Sequence, residues 1–155
     1  MGDMETQLRE FARKLGITAV GVVCADAWEA ETQESGSFSP KDVWPPANSV
    51  IVLGIPVFPV EALPFADEFG SWDVRSGILD TAAYRLSLFL NSLGYPSVNI
   101  PADSSGAQGR ERQTAPVFSH RRAGVLAGLV KAENPNSLLM ASVLTGLELR
   151  DSKPD

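Results

Sequence analysis

One cysteine and one histidine occur in 155 residues, and each scarcity excludes a class of chemistry. Cys24 by itself forms no intramolecular disulfide and cannot supply the four thiolates of an iron-sulfur cluster or a structural zinc site. With His120 the sole imidazole, no histidine pair exists for zinc or non-haem iron, so a protein-built metal site is not expected. No Gly-x-Ser-x-Gly elbow supports serine hydrolysis, and neither Gly-x-Gly-x-x-Gly nor a phosphate loop follows an expected strand. Positive charge is also short. Thirteen Lys and Arg stand against 19 Asp and Glu, a net charge of -6 that argues against a nucleic-acid partner. Long apolar runs are missing too: the longest uncharged stretch, Val43 to Val60, is broken by Pro45, Pro46, Pro56 and Pro59, so no membrane helix is expected. The acidic start, Met1 to Thr6, lacks the regions of a secretory signal. A reducing, cytoplasmic setting follows as the expectation.

What is present is an ordinary globular composition, 44% hydrophobic and 21% charged. The length predicts a single domain over residues 1–150, with 151–155 a frayed tail. Such a chain buries about two thirds of its unfolded surface. Leu8, Phe11, Ala12 and Leu15 recur at helical spacing ahead of Gly16 and predict an amphipathic helix from Glu5 to Leu15. Ala19 to Ala25 and Ser49 to Pro56 read as strands covered on both faces, because their apolar residues do not alternate with polar ones. Cys24, inside the first run, is expected as a small core residue rather than a reactive thiol. Between them, Asp26 to Asn48 reads as a long loop.

The strongest element is a helix from Val74 to Leu93, with one wide apolar face that includes Ile78, Leu79, Leu86, Leu90 and Leu93 and ends at Gly94. Ser97 to Ile100 is a short strand, and Pro101 to Pro116 a turn-rich loop. Ser119 caps a helix expected to run to about Leu129. Glu133 to Asn136 is a turn. Ser137 to Met140 and Ser142 to Leu144 predict one broken strand or two. Helix, buried strand and helix in succession indicate an α/β (α+β) architecture.

One stretch gathers chemistry. Gly109 to Arg122 holds Arg110, Arg112, Arg121, Arg122 and His120. Ser119, His120, Arg121 and Arg122 stand at an expected helix start, where backbone N–H groups and the helix dipole favour an anion. The alternative is a solvated set of surface cations paired with carboxylates. For His120 the choices are a ligand, a proton donor, or a hydrogen-bonded structural residue, the commonest fate of a lone histidine. The small residues of Gly124-Val125-Leu126-Ala127-Gly128 are assigned to close packing. No catalytic residue stands out.

Several segments, in order, resemble the epoxyqueuosine reductase-like family of corrinoid and iron-sulfur proteins, whose cobalamin domain is similar to that of reductive dehalogenases. They are Leu15-Gly16-Ile17 with Ala19-Val20-Gly21-Val22; Trp44-Pro45-Pro46-Ala47-Asn48 running into Ser49 to Pro56; Tyr84-Arg85-Leu86 through Leu93-Gly94-Tyr95; Pro116-Val117-Phe118-Ser119-His120-Arg121 through Ala127-Gly128-Leu129; and Ser142-Val143-Leu144-Thr145. The resemblance implies a nitroreductase-like three-layer sandwich with a mixed central sheet, here incomplete, that holds base-off cobalamin. It implies Ser119, His120, Arg121, Arg122 and Asn136 as cofactor-binding residues. In complete members a ferredoxin-like domain with 4Fe-4S clusters follows and reduces the cobalt.

This sequence departs from that pattern. Its single cysteine holds no 4Fe-4S cluster, so electrons are expected from a separate ferredoxin or iron-sulfur domain. The family's glycine-rich Gly-Lys-Asn turn is replaced by Val130 to Asn136, where Asn136 and Ser137-Leu138-Leu139 alone fit. A tyrosine- and arginine-containing stretch between Met140 and Ser142 is missing. Gln113-Thr114-Ala115-Pro116 stands where the reductases carry an acidic proton donor in an Asp-Thr-Gly-Pro-like motif. The first reading is a cobalamin-binding, oxidoreductase-like domain that is incomplete or inactive alone. A degenerate scaffold or homodimer module of the same family is the second. A flavin-binding domain, supported by fold analogy alone, is the third. Trp44 and Tyr84 are candidate flat walls for a cofactor, with core packing the alternative.

Overall fold

The computed structural model describes residues 2–31, 39–56, 71–102, 118–131, 133 and 138–149. Helix α1 spans Gly2–Lys14, strand β1 Ala19–Cys24, helix α2 Ala25–Glu31, the short α3 Pro40–Val43, and strand β2 Ser49–Pro56. Helix α4 spans Ser71–Ser92, β3 Ser97–Ile100, α5 His120–Leu126 and β4 Leu138–Thr145.

The strands form one sheet in the order β1-β2-β4-β3. Every pairing among these strands is antiparallel, with Val22 opposite Ile51, Ile51 opposite Val143 and Val143 opposite Asn99. The mixed sheet expected from the resemblance is therefore antiparallel over the described strands. The two central strands, β2 and β4, are buried along nearly their whole length, as an apolar run without alternation requires.

Side chains leave the sheet in two directions, and helices cover both faces, giving the expected three layers. On one face Val20, Val22, Ile51, Leu53, Ala141 and Val143 meet Leu8 and Ala12 of α1 and Leu79, Leu86 and Leu90 of α4. Phe11 and Phe89 stack across the two helices at 4.8 Å. On the other face Val50, Val52, Met140 and Leu144 pack against Trp28 of α2 and against Phe118, Ala123 and Ala127 around α5. Each fully buried Leu or Ile contributes about 1.5–3 kcal/mol, so the two layers share the stabilisation.

Three helix ends share one device. Gly16, Gly94 and Gly128 adopt φ of 93°, 97° and 78°. In each case the next residue's N–H reaches five residues back: Ile17 to Ala12, Tyr95 to Leu90 and Leu129 to Gly124. This is the Schellman closure, which satisfies orphan helix carbonyls and needs a residue tolerant of positive φ. It also corrects one boundary. Helix α5 ends at Leu126 with Ala127 as its cap, three residues before the expected Leu129.

Other expectations need correction. The long loop from Asp26 to Asn48 contains two helices. Helix α2 is held by Trp28, which is fully buried, and α3 by a capping box in which Ser39 Oγ accepts from Asp42 N and Asp42 accepts from Ser39 N. The broken strand is one continuous strand, β4. Cys24, at the last position of β1, is half-buried rather than fully enclosed. Ile78 and Leu93, placed on the core face of α4 by periodicity, are 41% and 45% exposed. Tyr84 is exposed, whereas Trp44 packs against the second core layer.

Among the described residues no helix is long and apolar enough to cross a membrane.

Candidate functional site

Four of the residues singled out by charge and by resemblance, Ser119 to Arg122, stand at the start of α5, where it lies over β4 and the exit of β3. Ser119 has extended backbone, and its Oγ accepts from Arg122 N at 3.1 Å, capping the helix as its sequence position predicts. Arg121 is exposed and makes no ion pair or hydrogen bond with another described residue; Arg122 is half-buried. Asn136 lies outside the described residues, as do Arg110 and Arg112.

His120 turns inward. It is 2% exposed, and both ring nitrogens are engaged. Nε2 lies 2.7 Å from the carbonyl of Pro101, at the exit of β3, and Nδ1 lies 2.8 Å from Ser142 Oγ on β4. A carbonyl only accepts, so Nε2 carries the proton and donates. In the neutral ring Nδ1 is then the acceptor, and the Ser142 hydroxyl donates to it. The ring edge meets Phe118 at 5.3 Å, and Phe118 in turn packs on Trp28 at 5.2 Å. This is a histidine that joins three elements through a buried polar contact. Of the three readings open to it, these contacts match the hydrogen-bonded structural one.

The small residues after it pack as expected. A Cβ placed on Gly124 would stand 2.5 Å from Met140 Sδ, and one on Gly21 would stand 2.7 Å from Ala127 Cβ. Helix α5 is therefore pressed against β4 and β1, and no ligand enters between them. Among the described residues no group of three His, Cys, Asp or Glu side chains could hold a metal ion.

The site thus separates into an inner and an outer half. Inside, both ring nitrogens of His120 are engaged, by the Ser142 hydroxyl and by the Pro101 carbonyl. Outside, the exposed Arg121 guanidinium, beside the half-buried Ser119, suits oxygen acceptors such as phosphate or amide oxygens. In this arrangement neither ring nitrogen of His120 is open to a further ligand. The buried Ser142, which no local sequence signal marked, is the partner that decides this; only its place opposite His120 across the fold reveals the role.

No protein-family model matches the chain, and no curated protein matches it. Solved structures do. A selenomethionine-labelled epoxyqueuosine reductase superposes with a TM-score of 0.65 at 15% identity. An epoxyqueuosine reductase bound to an epoxyqueuosine-modified tRNA-Tyr stem loop gives 0.65 at 18%. The Bacillus subtilis enzyme, with its catalytic loop swung out of the active site, gives 0.63 at 17%. Each match covers 99% of this chain and 48% of the other, so the chain spans about half the length of the reductases it matches. At these identities the likeness is one of fold.

Proposed function

We propose that this chain is the cobalamin-binding half of an epoxyqueuosine reductase-like redox protein that takes its electrons from a separate iron-sulfur partner. The observation that carries the reading is the fold likeness over 99% of the chain to less than half of each reductase. The ordered sequence segments support it as well, since three of them contain the helix ends at Gly16, Gly94 and Gly128. Ser119 and Arg121 hold the polar edge of the corrinoid. Cobalamin, when bound, supplies a reducible cobalt centre. His120 orients the start of α5 by fixing it to Pro101 and Ser142, and it moves no proton.

The single cysteine of these 155 residues cannot hold a cluster, which supports an electron source outside them. Reduction of a queuosine precursor in tRNA is not carried over. The motif that would furnish the acid reads Gln113-Thr114-Ala115-Pro116, and the net charge of -6 opposes a polyanionic substrate.

The test is an absorbance titration with hydroxocobalamin and with cob(II)alamin, using FMN as a parallel control. Saturable binding with the spectral shift of the base-off form, weakened in Arg121→Ala, is the expected result. A folded chain that binds no cobalamin would refute it.

One observation favours a second reading. The packing of Gly124 and Gly21 fills the space beneath α5 with protein, as suits a scaffold that has given up its cofactor. That reading expects a well-folded homodimer without cofactor, and light scattering at micromolar concentration separates it from a monomer.

A further inference from the structure

Helix α4 contains a glycine that its packing does not explain. Gly77 lies inside a 22-residue helix, where alanine would be favoured, and a Cβ built on it meets no atom within 4 Å. What the missing side chain leaves is space. Gly77 forms part of a cleft of about 430 Å³ between the end of α1 and the outer face of α4, lined also by Leu15, Ile78, Thr81, Ala82 and Arg85. It is an open cleft, with Gly77, Ile78, Thr81 and Arg85 all solvent-exposed, and its volume falls in the range of small-molecule sites, roughly 300–1,000 Å³. Helices α1 and α4 cover the sheet face opposite α5, so the cleft is separate from the site described above.

The lining has a definite polarity. Leu15, Ile78, Ala82 and the bare Gly77 backbone make it apolar, and Ile78 stays 41% exposed there. Thr81 and Arg85, one helical turn apart, are its polar groups, and neither makes a hydrogen bond or ion pair with another described residue. The exposed Arg13 and Lys14 close α1 beside Leu15 and add positive charge at that end. An apolar trough with an unpaired guanidinium and a hydroxyl along one line complements a molecule with an apolar body and one carboxylate. Arginine's fork takes a carboxylate through two parallel hydrogen bonds.

We infer that this cleft binds a small free carboxylic acid with an apolar chain, the chain lying over Gly77 and Ile78 and the carboxylate meeting Arg85 and Thr81. The binding is independent of any corrinoid.

The experiment is a titration of the ¹⁵N-labelled chain with decanoate, and with decanol as the same chain lacking the charge, followed by amide shifts. Saturable shifts from decanoate confined to the end of α1 and to Gly77 through Arg85 are expected. Arg85→Met should weaken decanoate about tenfold, the effect of losing one charge-assisted contact, and leave decanol unchanged. Gly77→Leu should abolish both while the thermal midpoint does not fall, because leucine is the better helix former. Absence of saturable shifts, shifts centred elsewhere, decanoate binding unchanged in Arg85→Met, or binding that survives Gly77→Leu would each overturn the inference.

Discussion

His120 Nδ1 and Ser142 Oγ lie 2.8 Å apart, both fully enclosed, and this one contact fastens the first residue of α5 to the middle of β4. The second ring nitrogen reaches the Pro101 carbonyl, so a single imidazole ties a helix to β4 and to the residue that follows β3. A buried polar group left without its partner costs far more than the net value of the bond it made.

His120→Ala should therefore destabilise the chain by about 2–4 kcal/mol, since it strands the Ser142 hydroxyl and the Pro101 carbonyl and leaves a cavity. Ser142→Ala should cost about 1–2 kcal/mol. The double variant should cost less than the sum of the two, because each single change exposes the same lost bond. Urea unfolding of the three variants reads this directly. Additive costs would show that the two residues act separately.

Gly21→Ala and Gly124→Ala test how tightly α5 is pressed to the sheet. The new methyl on Gly21 meets Ala127 Cβ at 2.7 Å, a position fixed to the backbone, and should cost about 1–3 kcal/mol. On Gly124 it meets the sulfur of Met140, a flexible side chain, and the change also gains about 1 kcal/mol of helix propensity. Gly124→Ala should be the milder of the two by calorimetry, and the reverse order would count against the packing described.

Gly94 and Gly77 make a contrasting pair on α4. Neither has an atom within 4 Å of a built Cβ, so sterics from neighbours do not distinguish them. Backbone conformation does. Gly94 closes the helix at φ 97°, and Gly94→Ala should cost about 1 kcal/mol. Gly77 sits in the regular helix, and Gly77→Ala should stabilise by about 0.5–1 kcal/mol. Thermal midpoints moving in the same direction would refute the assignment of the two roles.

Much of the fold was legible because its signals are local. Strands β2 and β3 were read to the residue, since proline ends one and turn residues bracket the other. Helices α1 and α4 follow from periodicity and from Gly16 and Gly94. The family-like segments Leu15-Gly16-Ile17, Leu93-Gly94-Tyr95 and Ala127-Gly128-Leu129 prove to be the three Schellman helix ends. That explains why they signal fold. They carry backbone geometry and no chemistry.

The candidate site was legible as a place and not as a set of roles. Ser119 was recognisable as a cap from its own residue type. Nothing in the neighbourhood of His120 distinguishes a ligand from a core residue, because its partners lie 19 and 22 residues away along the chain. The expected break in β4 has the same origin. Ser142 interrupts an apolar run, and its hydroxyl can lie inside a continuous strand because His120 satisfies it there.

The sequence by itself determined the helix and strand segments with strong periodicity and their glycine stops. Those properties depend on residue type and near neighbours. Only the tertiary structure decided that α2 exists, since seven residues make a marginal helix until Trp28 is buried. It alone decided that His120 is a structural fastening, and that Gly77 and Arg85 share an open cleft. Those properties depend on which groups the fold brings within bonding distance or leaves without a neighbour.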